Sequence, residues 1–187
     1  MKLHHLLTTA VLSLSLAAGS ALAQTEKAKK QAEIRKVTAT SLEKFYKADP
    51  KLKEAVAKAP GYAVFTTYGI SFLIGGAGGK GLTHDNKSKK DTFMEMAQAS
   101  AGIQAGIAES ETLIVFKNAK AMQTFVDKGW EAGGGGAVQA GAAGKSVGAA
   151  GGENAIADAS YYTLTKNGLQ AGVAVAGTKF WKDKDLN

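Results

Sequence analysis

The sequence predicts an α+β domain: a strongly bent or barrel-like antiparallel sheet with N-terminal helices and one helix between strands. Three observations carry that expectation. The chain from Gln24 to Pro60 follows a helical period, whereas from Tyr62 it is rich in β-branched and aromatic residues broken by glycine. The strand-like part is interrupted once, by NAKAMQTFVDKG, and then resumes. Finally, 23 glycines among 187 residues supply points at which a sheet can bend sharply.

The chain opens with an export signal. Lys2 precedes an apolar run from Leu6 to about Ala18, and small residues end in Ala21-Leu22-Ala23, an A-x-A cleavage pattern. The apolar run is too short to span a bilayer comfortably, which favours a cleaved leader over a retained anchor. Removing 23 of the 187 residues leaves 164, enough for one domain with its own core. The expected organisation is a leader over 1–23, a basic helix over 24–47 and an α+β domain over 48–187.

The elements follow in order. TEKAKKQAEIRKVTATSLEKFYKAD reads as a helix with Ile34, Val37, Leu42 and Phe45 on one side. DPKLKEAVAKAPG reads as a short helix, with Asp49 as cap, Pro50 in its first turn and Pro60-Gly61 as its stop. Leu52, Ala55, Val56 and Ala59 form its buried stripe. YAVFTTYGISFLIGGAGGKGLT reads as two strands meeting near Gly69. The polar turn HDNKSKKD leads into the long strand region TFMEMAQASAGIQAGIAES, and ETLIVF is a further strand. In NAKAMQTFVDKG, Asn118 caps a helix that turns Met122, Phe125 and Val126 inward and stops at Gly129. DASYYTLTKNGLQAGVAVAGTKF is a hairpin about the two-residue turn Asn167-Gly168.

Glycine invites other readings. GAAGKS resembles the end of a phosphate-binding loop, but five residues before Gly144 stands Gln139, not glycine, and no aliphatic strand leads in. GAGGKG, Gly76 to Gly81, fits G-x-G-x-x-G, but turn residues follow it where a dinucleotide site needs a helix. Gly144, Gly148 and Gly152 repeat at membrane-zipper spacing, but Lys145 lies among them and long apolar side chains are few. Close backbone packing or a loop remains. A Gln-Ala-Gly echo supports packing: IQAGIA begins at Ile103, VQAGAA at Val138 and LQAGVA at Leu169. The first and third are expected to be strands of one sheet. Spacings of 35 and 31 residues between the glutamines (Gln104, Gln139, Gln170) are too uneven for a solenoid.

Residue types exclude much chemistry. Cysteine is absent, so neither a disulfide nor a lipoprotein anchor can form. Only His84 survives removal of the leader, and a metal site or a Ser-His-Asp triad would have to use it. In its polar turn a solvated histidine is expected. Glu109, Glu111, Glu131 and Glu153 lie near expected strand ends, but sixteen acids make some such pairing inevitable, so they carry no argument for hydrolysis.

The stretches APGYAVFTTYGI, GGAGGKGL, MAQASAGIQAG, FVDKGWEAG and LTKNGLQAGVAVAGTKFWKDKDLN together resemble the SYLF-domain family, in its exported bacterial branch. They cover roughly residues 48–187. The resemblance implies a compact α+β domain that binds membrane lipids. In eukaryotic members the lipids are phosphoinositides, with help from an N-terminal amphipathic helix, and a fungal branch binds actin. The eukaryotic pattern often carries a lysine after the first strand, and TTYGIS has none. An exported bacterial protein meets neither actin nor phosphoinositides, so the resemblance supports lipid binding rather than a lipid identity.

Charge points the same way. Between Gln24 and Lys58 ten Lys and Arg face five Asp and Glu, a surplus of +5, and from Ala59 onward twelve face eleven. A basic helix above an apolar stripe suits an anionic leaflet; the same helix packed on the sheet is the competing reading. The expectation is a non-enzymatic, envelope-located protein, without cofactor, metal, nucleotide or nucleic acid, whose partner is an anionic phospholipid surface. Lys27, Lys29, Lys30, Arg35 and Lys36 are the candidate headgroup contacts. The alternative is a periplasmic structural or stress protein that binds other proteins through its glycine-rich region.

Overall fold

Alternation along ETLIVF decides the layers. Leu113 and Val115 point to one face of the strand and Ile114 and Phe116 to the other, and all four are buried. A strand buried on both faces needs cover on both sides. The computed structural model supplies it, describing residues 4–67, 71–72, 76–99, 110–132, 158–165, 168–171 and 178–187. Side chains are described for these except in 4–23, 71–77, 98–99 and 132.

In chain order the elements are α1 (His4–Ala48), α2 (Lys51–Lys58), β1 (Gly61–Thr66), β2 (Ser71–Phe72), β3 (Gly76–Asp85) and β4 (Asp91–Ala99). Then come β5 (Glu111–Phe116), α3 (Ala119–Lys128), β6 (Trp130–Ala132), β7 (Ala159–Thr165), β8 (Gly168–Ala171) and β9 (Thr178–Lys182). Among the described residues the sheet runs β6-β9-β4-β3-β1-β5-β7-β8, antiparallel throughout, with β2 added on β3. It curls strongly, as a half-barrel. Trp130 of β6 and Tyr161 of β7 stand six strands apart in the sheet order, yet their ring centroids are 6.1 Å apart.

The concave face holds Phe65, Met94, Met96, Ile114, Phe116, Trp130, Tyr161 and Phe180 under Met122 and Phe125 of α3. Gly79 and Gly81, two of the three glycines of GGKG, make room there. A methyl group on Gly81 would overlap the Val64 carbonyl and the Phe65 ring; one on Gly79 would sit 2.5 Å from the Thr66 carbonyl oxygen. Close backbone approach is thus the reason for Gly79 and Gly81. GAGGKG lies in β3 and continues through a turn into antiparallel β4, without the helix that a dinucleotide fold requires. The run from Gly133 to Gly152 and the copy beginning at Ile103 lie outside the described residues, whereas Leu169 to Ala171 of the third copy lie in β8.

The convex face carries α1 and α2. Phe45, Leu52 and Val56 pack on Val64, Leu113 and Val115, and Ile34 packs on Leu82, Phe93 and Leu186. The buried line of α1 differs from the expected one. Ile34, Thr38, Ser41 and Phe45 are buried, while Val37 and Leu42 flank them half-buried. The small hydroxyl residues let the helix lie close to the strands, and Thr38 Oγ1 donates to the Ile34 carbonyl at 2.7 Å, satisfying itself within the helix.

Local signals set the remaining boundaries. The Asp49 carboxylate accepts from the Lys51 N–H at 3.0 Å, as a cap would, and Asn118 Oδ1 accepts from the Ala121 N–H at 2.8 Å. Gly129 ends α3 at φ 70°, a left-handed value suited to glycine. The β7–β8 register pairs Thr165 with Gly168, which leaves two residues between the strands but puts Gly168 in β8, so the hairpin turn falls one position earlier than the expected Asn167-Gly168. YAVFTTYGISFLIGGAGGKGLT contributes three strand segments rather than two, because the short β2 folds back on β3.

Candidate functional site

Burial of the α1 stripe settles which of its groups face outward. Lys29, Lys30 and Lys36 are exposed. The other two residues of the expected cluster are engaged in the fold. Lys27 Nζ donates to the Asn187 backbone oxygen at 2.8 Å. Arg35 Nε donates to Asp91 Oδ2 at 2.6 Å, with its guanidinium 4.8 Å from the centre of the Phe93 ring. The cluster of five therefore divides into three outward cations and two that seat α1.

Asp91 sits between two elements. Its second oxygen, Oδ1, lies 2.7 Å from His84 Nδ1, and the His84 ring rests 5.3 Å from that of Tyr62. Burial works against the Asp91 charge, but the His84 and Arg35 contacts outweigh it and hold the carboxyl below its ordinary range. His84 is thus paired and part-buried instead of solvated. Its address in the sequence is a turn, but β3 runs on to Asp85, which places the histidine inside the ladder opposite Asp91.

Further along the convex face lies a band of charge. Lys44 of α1 reaches Glu111 Oε1 at 2.5 Å. Lys80 bridges Asp183 at 3.0 Å and Glu95 at 3.2 Å, and Trp181 Nε1 donates to Glu95 at 2.7 Å. Burial alone would lower the Lys80 pKa, yet the two carboxylates raise it, so its charge is secure. Glu131 pairs with Lys179 at 3.7 Å, and Glu109 and Glu153 lie outside the described residues. Among the described residues no group of three His, Cys, Asp or Glu could hold a metal ion. No helix searched there is long and apolar enough to cross a membrane.

The sequence reading missed two features. One is the seat made by the last residues. Asn187 accepts from the Phe93 N–H and donates to its carbonyl, Asp183 Oδ1 caps the N–H groups of Asp185 and Leu186, and Gln31 donates to the Leu186 carbonyl at 2.7 Å. The other is the β3–β4 tip, where Lys87, Ser88, Lys89 and Lys90 are all exposed. Three lysines in NKSKKD were its signal, read only as turn chemistry.

Two comparisons bear on this arrangement. Residues 97–187 match the family described as "Ysc84: Las17-binding protein actin regulator". The chain is also 32% identical over 156 residues to "Beta cell expansion factor A" of Aeromonas veronii, an alignment covering 79% of this chain and 55% of that protein. The chain therefore spans about half the length of this curated relative.

Proposed function

Since the chain carries a domain of the Ysc84, or SYLF, family, we propose that it is a non-enzymatic, exported protein that associates with anionic phospholipid surfaces. The carrying observation is the division within α1: Ile34 and Phe45 are buried while Lys29, Lys30 and Lys36 remain exposed. The helix can meet headgroups electrostatically without withdrawing its apolar side from the core. Each such cation near an anionic leaflet contributes about 1 kcal/mol. Exposed charges are screened over about 8–10 Å at physiological salt, so attachment weakens as salt rises.

Co-sedimentation with phosphatidylglycerol or cardiolipin vesicles, against phosphatidylcholine alone, tests the reading. Binding to the anionic vesicles that falls with salt supports it; equal binding to neutral vesicles, or none to either, ends it. Export is tested separately by the N-terminus of protein from the envelope fraction, expected at Gln24. A second reading, contact with other proteins, is favoured by the family's description as protein-binding. It gains if the protein sediments with no vesicle yet co-purifies at fixed ratio with a defined partner.

A further inference from the structure

We propose that the tip of the β3–β4 hairpin, with the last turn of α2 beside it, is a preformed phosphate-contacting surface that docks the protein on an anionic phospholipid bilayer. This rests on the lipid reading above but assigns the contact to residues outside α1. The tip is held by many bonds for its size. Asp85 Oδ1 accepts from the N–H groups of Lys87 at 2.8 Å and Ser88 at 3.0 Å. Lys89 N–H donates to the Asp85 carbonyl at 2.8 Å, and Asp85 N–H to the Lys90 carbonyl at 3.0 Å. Asn86 pins the whole turn to α2: its N–H donates to the Pro60 carbonyl, and its Nδ2 donates to the carbonyls of Val56 at 2.8 Å and Ala59 at 2.9 Å.

The same bonds sort the charges. Asp85 is turned back into the loop, where the Ser88 N–H, with the Lys87 N–H and the Ser88 side chain, holds its carboxyl below the ordinary range against the opposing effect of burial. Asp91 is engaged by Arg35 and His84. The negative end of α2 is covered by Asn86. Lys87, Lys89 and Lys90 remain outward, none of them ion-paired among the described residues, while the Ser88 side chain bonds back to Asp85. Lys58 is near, and its exposed pairing with Glu54 is of the kind that competes weakly with a phosphate.

Backbone conformation gives an independent reason. Lys89 has φ 58°, a left-handed value that glycine adopts freely and a lysine does not. A turn selected for stability alone would favour glycine there. A lysine there carries a backbone cost, which an ammonium contact to an anionic surface can offset.

The test compares three proteins for binding to phosphatidylglycerol vesicles at low salt, with melting temperature and circular dichroism beside each. Lys87→Gln/Lys89→Gln/Lys90→Gln should keep the wild-type spectrum and lose about 100-fold in affinity, from about five-fold per cation. Lys89→Gly should melt no lower than wild type, since it relieves the left-handed residue, and still lose about five-fold. If wild type binds and both variants bind as tightly, the inference fails while the lipid reading stands. If wild type does not bind, both fail. Release by inorganic phosphate well beyond that by chloride at equal ionic strength would also overturn it, because a bilayer would then be the wrong partner for a discrete phosphate site.

Discussion

Along the outward side of α1, lysines alternate with acids: Lys29, Glu33, Lys36, Glu43 and Lys47 share one exposed side of the helix. At the β3–β4 tip, Lys87, Lys89 and Lys90 stand together while Asp85 and Asp91 are bonded inward. The first pattern spreads both signs along one helix side, so neighbouring charges partly cancel. The second concentrates one sign on a braced loop. Net charge by segment favours α1, because it counts residues; the local field favours the tip, because it depends on where the acids point.

Four measurements can break or sharpen that contrast. The largest effect belongs to Phe45, fully buried under the convex face. Phe45→Ala should cost about 3–5 kcal/mol in denaturant unfolding; a loss under about 1 kcal/mol would mean that α1 is not a core element, and its apolar side would be available for membrane after all. Next is Asp91→Asn, expected to cost about 1.5–3 kcal/mol by removing charged contacts to both Arg35 and His84. Its pH signature has a definite sign. Asp91 titrates below its ordinary 3.8 in the folded protein, so its contribution is present above about pH 4 and lost as pH falls through the lower folded value. The variant should therefore show a shallower loss of stability on the acid side.

Asn86→Ala is expected to cost about 1–2 kcal/mol, since it leaves the Val56 and Ala59 carbonyls without their donor. It should also loosen the tip, seen as faster amide exchange at Lys87 and Ser88; unchanged exchange would show that the Asp85 bonds suffice alone. The smallest effect is that of Lys29→Gln/Lys30→Gln/Lys36→Gln, which should shift stability by less than about 0.5 kcal/mol. Its vesicle affinity should fall less than that of the tip variant. A larger fall would return the main contact to α1.

How much of this is legible in the sequence depends on distance along the chain. Asn118 and Gly129 bracket α3, and Pro50 and Pro60 bracket α2. Each is local punctuation acting within a few residues, and each is read correctly. The bent antiparallel sheet is legible too, since glycine and β-branched residues leave few other architectures. What escapes is set by remote partners. Thr38 and Ser41 look like surface residues until the helix is laid on strands that need it close. Lys27 and Arg35 look like free cations until Asn187 and Asp91 arrive from 160 and 56 positions away. The tip is misread for the opposite reason: its composition says turn, while the inward course of Asp85 depends on backbone geometry alone.

The seat formed by Gln31 with Leu186 has a consequence for the order of events in synthesis. The two residues are separated by 155 positions, so the part of α1 made early packs against residues made far later. At about 5–20 residues per second, some 8–30 s separate them on the ribosome. Ile34 has no Leu186 to pack on during that interval, and the helix is accessible to any factor that reads emerging chains. Contacts of such long range also slow folding after release. The convex face is thereby completed late, once residues 155 positions downstream of Gln31 have been made.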